Sequence, residues 1–381
     1  MAYTTKFLCT NELHRQFGIA VKKNVHNYFT ENNISPKGNL GLIFKSIVLM
    51  ALYIVPFILL LTVSMNSWVA LSLTLVMGVG MAGIGMCVMH DSVHGAYSEK
   101  EWVNKWLGRT IYLLGNNVFN WKIQHNVLHH TYTNVDGQDE DIADKGLIRL
   151  SHQVEMRKIH YYQYIHAFFF YGLMTFSKWV KEFSQLSKYS KMGYTRKFKI
   201  NYIREYAKLI SIKVLYVFAF LVFPLFVTQF AWWQLWIGFV AMNFVAGFIM
   251  SVVFQLAHIV EGITDHIPNA QGNVEGNWAV HELLTTSNFA PDNHLLNWYV
   301  GGLNFQIEHH LFPTICHIHY RDIAPIVAQT AAEFGIPYNQ HPTFGKALAS
   351  HVRKLKELGQ QKVACVSKRE EIVPAILQEV F

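Results

Sequence analysis

The stretch WVALSLTLVMGVGMAGIGMCVMHDSVH, Trp68 to His94, decides the architecture. From Trp68 to Met89 it carries no formal charge. About 20 such residues wound as a helix cross roughly 30 Å of hydrocarbon. The run then ends on His90 and His94, which are spaced to lie on one face of a helix. Upstream, Leu42 to Val63 is a second apolar run, and between Asn39 and Asp91 the only formal charge is Lys45. The link from Ser64 to Ser67 is short and neutral. The same arrangement recurs at Leu209 to Val227 and Trp232 to Phe254, with Lys213 as the one internal charge and a short neutral link around Gln229. These runs predict an all-α integral membrane protein with four transmembrane helices in two hairpins.

Two hairpins put the N-terminus, the middle segment and the C-terminus on one side. Lys22, Lys23, Lys37 and Lys45 lie before or at the start of the first run. Lys178, Lys181, Lys188, Lys191, Arg196, Lys197, Lys199 and Arg204 precede the third, and the two short links carry none. The excess of Lys and Arg makes the shared side cytosolic. The expected organisation is an N-terminal cytosolic segment 1–40, a membrane domain 41–340 with spans near 42–63, 68–89, 209–227 and 232–254, and a cytosolic tail 341–381. The aromatic stretches His160 to Trp179 and Trp106 to Trp121 read as helices lying in the headgroup region. The basic, helically spaced sequence after Gly345 reads as a solvated or membrane-surface helix.

Composition agrees. Of 381 residues, 51% are hydrophobic and 15% charged, against roughly 25% charged in soluble domains. The mean hydropathy is +0.17. These values exclude an ordinary soluble globule, a disordered chain, collagen and a coiled coil. Cys9, Cys87, Cys316 and Cys365 form no close pair, so neither a disulfide framework nor a Cys-x-x-Cys zinc site is expected, and the setting reads as reducing. The net charge of +7 lacks the alternation with aromatics that nucleic acid would favour, and anionic lipid explains it more simply. No cleaved export signal is expected at the N-terminus.

The chain has 20 histidines, and several fall in three clusters: HDSVH with His90 and His94, HNVLHH with His125, His129 and His130, and QIEHH with Gln306, His309 and His310. On an α-helix His90 with His94, and His125 with His129, converge on a common centre, whereas adjacent histidines diverge by about 100°. Seven such residues exceed the needs of one metal and predict a two-metal site in a helical cap at the cytosolic mouth of the bundle. No cysteine lies in the clusters, and His281-Glu282 lacks the second histidine of a zinc-peptidase signature. Ligand type alone leaves iron, zinc, copper and nickel open.

At these residues the chain resembles the membrane fatty acid desaturase family. HDSVH, HNVLHH and QIEHH match its three histidine boxes in order and spacing. The run GGLNFQIEHHLFP, Gly301 to Pro313, is similar to the branch of front-end and related acyl-CoA or acyl-lipid desaturases in which Gln replaces the first histidine of the third box. The resemblance covers about Leu42 to Tyr338. It implies a non-haem centre of two iron ions with O2 as co-substrate, removing two hydrogens from adjacent methylenes of a long acyl chain to leave a cis double bond and water. It carries over His90, His94, His125, His129, His130, His309 and His310 as iron ligands, and His258 in QLAH as the ligand past the last span. Where some relatives have Asn four residues before that histidine, this chain has Phe254, so Gln255 and Gln306 become the candidates for a water-mediated contact. His281 is a further candidate near the site. Asp91 and Glu308 are candidates to accept the outer N–H of an imidazole, with Asn126 and Asn304 behind them. His152, His160, His166, His266, His294, His317 and His319 read as structural or interfacial. The acidic stretch Asp136 to Asp144 reads as a solvated loop and a candidate contact for a redox partner.

Many front-end relatives carry a fused cytochrome b5 domain with an HPGG motif, which is absent from this sequence. The expected electron donor is therefore separate: a ferredoxin, a rubredoxin or free cytochrome b5. The expected partners are a long-chain acyl-CoA or acyl-lipid and membrane lipids, with no nucleic acid. Two competing readings remain at this point. One is a membrane di-iron hydroxylase of alkanes, sterols or carotenoids, and the other is a histidine-rich metal transporter.

Overall fold

The structure, a computed structural model, describes residues 5–361 and is mostly helical. Helix α1 (Glu12–Glu31) comes first. Four helices are long and apolar enough to cross a membrane: α2 (Leu40–Thr62), α3 (Ser67–His94), then, after intervening elements, Tyr202–Val227 and Trp232–His258. Between them lie α4 (Gln163–Gly172) and α5 (Met174–Lys191), so the third and fourth long helices are α6 and α7. The chain continues through α8 (Trp278–Thr285), α9 (Gln306–Leu311), α10 (Tyr320–Glu333) and α11 (Phe344–Gln360).

Local chemistry sets where the long helices begin. Asn39 caps α2 by accepting from the Leu42 amide, Asn66 caps α3 by accepting from Trp68 and Val69, and Asn201 caps α6 by accepting from Arg204. A side-chain acceptor at this position satisfies amides that have no partner inside the helix. Three boundaries differ from the expected ones. The third apolar helix starts at Tyr202 rather than near 209, and the fourth runs to His258 rather than ending at Phe254. The second does not stop at Met89: residues Ile84–Met89 widen into a π-helical turn and the helix runs on to His94, where Gly95 closes it at φ +73. The first histidine pair is thus the last turn of the helix itself.

α3 is the centre of the bundle and packs against α2 and α7. Its small residues allow this. A Cβ at Gly78 would lie 2.6 Å from the Met242 carbonyl, and one at Gly80 would lie 2.8 Å from the Leu52 backbone. Such close backbone approach is how helices associate where lipid removes the hydrophobic drive between them. The lone charges of the apolar runs, Lys45 and Lys213, are both paired. Lys45 Nζ is 2.8 Å from His317 Nε2, whose Nδ1 donates to Asp91 at 2.7 Å. Lys213 Nζ donates to Glu182 at 2.5 Å and to the Gly115 carbonyl. A buried charge needs such a partner.

The remaining elements gather over the histidine end. α1 buries Phe17, Val21, Val25 and Phe29 against α10 and α8. Two short parallel ladders clip distant segments together: Phe7–Leu8 with Val274–Glu275, and Asn288–Phe289 with Gln340–His341. The aromatic stretch after His160 breaks at Gly172, where α4 crosses α7 so closely that a Cβ on Gly247 would lie 2.7 Å from the Gly172 carbonyl. α11 is not a free surface helix. It buries Ala347, His351, Leu355 and Leu358 against α4 and its neighbours. The rest of the expected tail, residues 362–381 with Cys365, lies outside the described residues.

Candidate metal centre

Three elements from distant parts of the chain bring the histidines together. The end of α3 supplies His90 and His94, the π-helix Lys122–His129 and its following residue supply His125, His129 and His130, and α9 supplies His309 and His310. Two glycines in left-handed conformation lead into α9. Gly301 (φ +67) packs on α3, where a Cβ would sit 2.6 Å from the Met86 carbonyl, and Gly302 (φ +66) packs on His317, where a Cβ would sit 2.9 Å from the His317 side chain. α7 adds His258 from its last turn.

The rings sort into groups whose donor atoms lie within 4.8 Å of one another: His90, His94, His125 and His309 in one; His129, His258 and His310 in a second; and His130, His309 and His310 between them. His90 and His94 share a group, as their spacing predicts. His125 and His129 do not. The reason is the π-helical turn, in which His130 N–H donates to the His125 carbonyl five residues back. This widening brings His130 alongside His125, with Nε2 atoms 3.2 Å apart, and turns His129 toward His258 and His310.

The inward ring nitrogens carry the chemical argument. His94 Nε2, His129 Nε2, His130 Nδ1, His258 Nε2, His309 Nε2 and His310 Nε2 are all buried without a hydrogen-bond partner among the described residues, while His90 turns its Nε2 to within 3.2 Å of His125 Nε2 and its Nδ1 toward Asp91. Each buried polar atom left unpaired costs about 1–3 kcal/mol. Six together cost on the order of 10 kcal/mol, the size of a whole fold's stability. Neutral imidazole nitrogens converging in this way fit metal ions. Burial pushes His125, His130, His309 and His310 well below the usual imidazole range, which keeps them in that neutral form.

The outer nitrogens are held by groups that the sequence reading missed or misassigned. His129 Nδ1 is 3.0 Å from Asp139, and His310 Nδ1 is 2.8 Å from Glu282, which also accepts from Thr133 at 2.9 Å. His309 Nδ1 is 3.2 Å from the Tyr320 hydroxyl, and His258 Nδ1 donates to the Thr285 carbonyl at 3.3 Å. Burial opposes charge on both Asp139 and His129. Their mutual attraction outweighs it, holding the carboxyl low and the imidazole high. Burial drives the Glu282 carboxyl well above the usual range.

Several candidates sit elsewhere. His281 Nε2 donates to the Thr133 carbonyl at 2.8 Å and belongs to none of the three groups. Glu308 faces away from the imidazoles, accepting from Asn288 and Tyr338 at 2.7 and 2.8 Å, and burial raises it to about 7. Asp91 accepts from His317 rather than from a histidine of the three groups, and its nearest approach to His90 Nδ1 is 3.6 Å. Asn126 and Asn304 donate to backbone carbonyls. Gln255 and Gln306 are buried, each with an amide oxygen unpartnered among the described residues. The acidic stretch after the second cluster is not simply solvated. Asp139 is buried against His129, and Glu140 is tied to Lys188, Gln185 and Tyr189. The HE dipeptide at 281–282 was the one available signal for Glu282. Nothing in the spacing marked Asp139.

Comparison with known proteins gives a single answer. Residues 66–342 match the family model described as fatty acid desaturase. An sn-1 linoleoyl-lipid 6-desaturase of Arthrospira platensis is 35% identical over 338 residues, covering 89% of this chain and 91% of that protein. An acyl-lipid (8-3)-desaturase of Physcomitrium patens is 33% identical, covering 91% of this chain and 72% of its own. An sn-1 linoleoyl-lipid 6-desaturase of Synechocystis is 32% identical, covering 91% and 96%.

Proposed function

The chain belongs to the fatty acid desaturase family and is an oxidoreductase that desaturates fatty acyl chains, and from that premise we propose that it does so at a pair of iron ions held by eight histidines. The hydroxylase and transporter readings give way to this one, because the matching family and relatives are desaturases. One position is read as His90, His94, His125 and His309, the other as His129, His258 and His310, with His130 beside both. The observation that carries the reading is the set of six buried, unpartnered ring nitrogens on histidines whose donor atoms group within 4.8 Å of one another.

Iron bound there supplies the O2-activating chemistry that breaking an unactivated C–H bond demands, which no side chain provides. The protein's own residues do the rest. Asp139, Glu282, Tyr320 and the Thr285 carbonyl fix which nitrogen of each ring carries its proton, so the other faces inward as a free donor. Ile84, Val88 and Ile123, on the turns that carry the first two histidine clusters, are buried, as are the rings of His90, His129, His130, His258, His309 and His310. The overall change is the acyl CH2–CH2 unit plus O2, two electrons and two protons giving CH=CH and two waters. The electrons come from a donor protein of the ferredoxin, rubredoxin or cytochrome b5 kind.

The substrate is read as an acyl-lipid, after the relatives' names. A small cleft beside the site, with Met89, Leu114, Trp121 and Met250 on its apolar side and Asn116, Gln124, Lys178 and Glu182 among its polar lining, brings the Trp121 ring 5.7 Å from that of His90. The four long helices are read as two hairpins, with both termini and the histidine-rich end cytosolic, after the basic flanks of α2 and α6. Expression in a host that lacks polyunsaturated lipids, with double-bond mapping by mass spectrometry, tests the function. New cis double bonds support it. Products 16 mass units heavier with no product two units lighter contradict it.

A further inference from the structure

We propose that the bundle holds a second hydrocarbon chain, belonging to a membrane phospholipid rather than to the substrate, in a cavity at the end remote from the histidines. The proposal goes beyond the desaturation reading and rests on the four long helices lying in a bilayer. A cavity of about 430 Å³ opens between α2, α3, α6 and α7, within the size range of small-molecule sites. Phe57, Met77, Phe220, Phe239 and Met242 form its walls and floor.

The walls leave a polar ligand little to bind. The polar side chains that line the cavity are engaged within the protein. Gln234 donates to Ser67 at 2.8 Å and accepts from the Ala231 amide, Thr74 donates to the Leu71 carbonyl, and Thr228 donates to the Pro224 carbonyl. Water gains nothing there, because it needs two or more polar partners. An unfilled apolar space forfeits the dispersion contacts of its lining. The occupant is therefore hydrocarbon. Its source is set by the mouth, where Trp68 and Trp233 are 79% and 50% exposed. Their position at a helix end is that of interfacial aromatics, so the cavity continues the lipid-facing surface of α3 and α7.

Distance and packing separate it from the metal centre. Met77 lies 13 residues before His90, about 20 Å along a helix, and Met242 lies 16 before His258, about 24 Å. Just beyond Met77, on the histidine side, Gly78 and Gly80 bring α3 into backbone contact with α7 and α2. This contact closes the bundle between the cavity floor and the histidines. An acyl chain reacting at the histidines is thereby kept from the cavity.

The test uses the full iron-loaded chain in phosphatidylcholine nanodiscs, the lipid carrying a diazirine near the methyl end of a saturated chain. Irradiation and peptide mapping should concentrate label on residues 57–77 and 220–242. Leu71→Trp should abolish that enrichment, Leu71→Met should keep it, and neither should shift the acyl chain length preferred for desaturation. Label spread evenly over the lipid-facing helices overturns the proposal, and this arm on the unaltered chain decides the case if Leu71→Trp fails to fold. Enrichment unchanged by a folded Leu71→Trp overturns it as well. A shift in preferred chain length would assign the cavity to the methyl end of the substrate, and the proposal would fall.

Discussion

Asp139→Asn and Glu282→Gln keep the outline of the side chains that face His129 and His310 but replace one of the two carboxyl oxygens, the acceptors that order each imidazole, by an NH2 group. Each should cost 10–100-fold in metal retention or turnover, the usual effect of losing a group that orients a ligand. Iron content and turnover of the purified variants check this, and an unchanged thermal midpoint would show that the loss is local. A second prediction concerns His351, which burial lowers to about 4 from an ordinary 6.5. Below pH 6.5 the unfolded chain takes up a proton that the folded chain refuses, so stability falls until about pH 4. Between pH 7.5 and 5 the loss is about 2 kcal/mol. His351→Gln can still donate to Ile259 and accept from Tyr171 without titrating. It should flatten that part of the fall in thermal midpoint, and an unchanged slope would refute the assignment. At this scale the sequence was partly legible. Histidines announce themselves by spacing within one segment. Their partners do not, because Glu282 and His310 meet only through tertiary packing and Asp139 looked like one acid among several in a surface loop.

The long helices were legible because a bilayer demands a length and a composition that no other helix among the described residues satisfies. The turns that aim the ligands were not. Propensity gives no sign that Ile84–Met89 and Lys122–His129 wind as π-helices, yet that winding splits His125 from His129. The glycines of α3 are the element-scale feature open to test. Gly80→Ala places a methyl 2.8 Å from the Leu52 backbone. Overpacking of this kind costs about 1–3 kcal/mol. The thermal midpoint should fall by several degrees, whereas Gly272→Ala, in open space, should show only the smaller strain of its φ of +78.

For the whole molecule, the account needs both ends of the chain and all the histidines on one face of the membrane, opposite the two short links. With Cys9 and Cys365 replaced, Ser64→Cys should react with an impermeant maleimide on intact cells, and Lys346→Cys should react only after lysis. The reverse pattern would invert the topology. The central claim is that eight histidines hold two metal ions, and that the metal is iron. Metal analysis of the chain purified from iron-replete cells tests it most directly. The account predicts about two irons per chain, falling sharply in His309→Ala. One iron per chain, or a stoichiometric load of zinc in an active preparation, would contradict it.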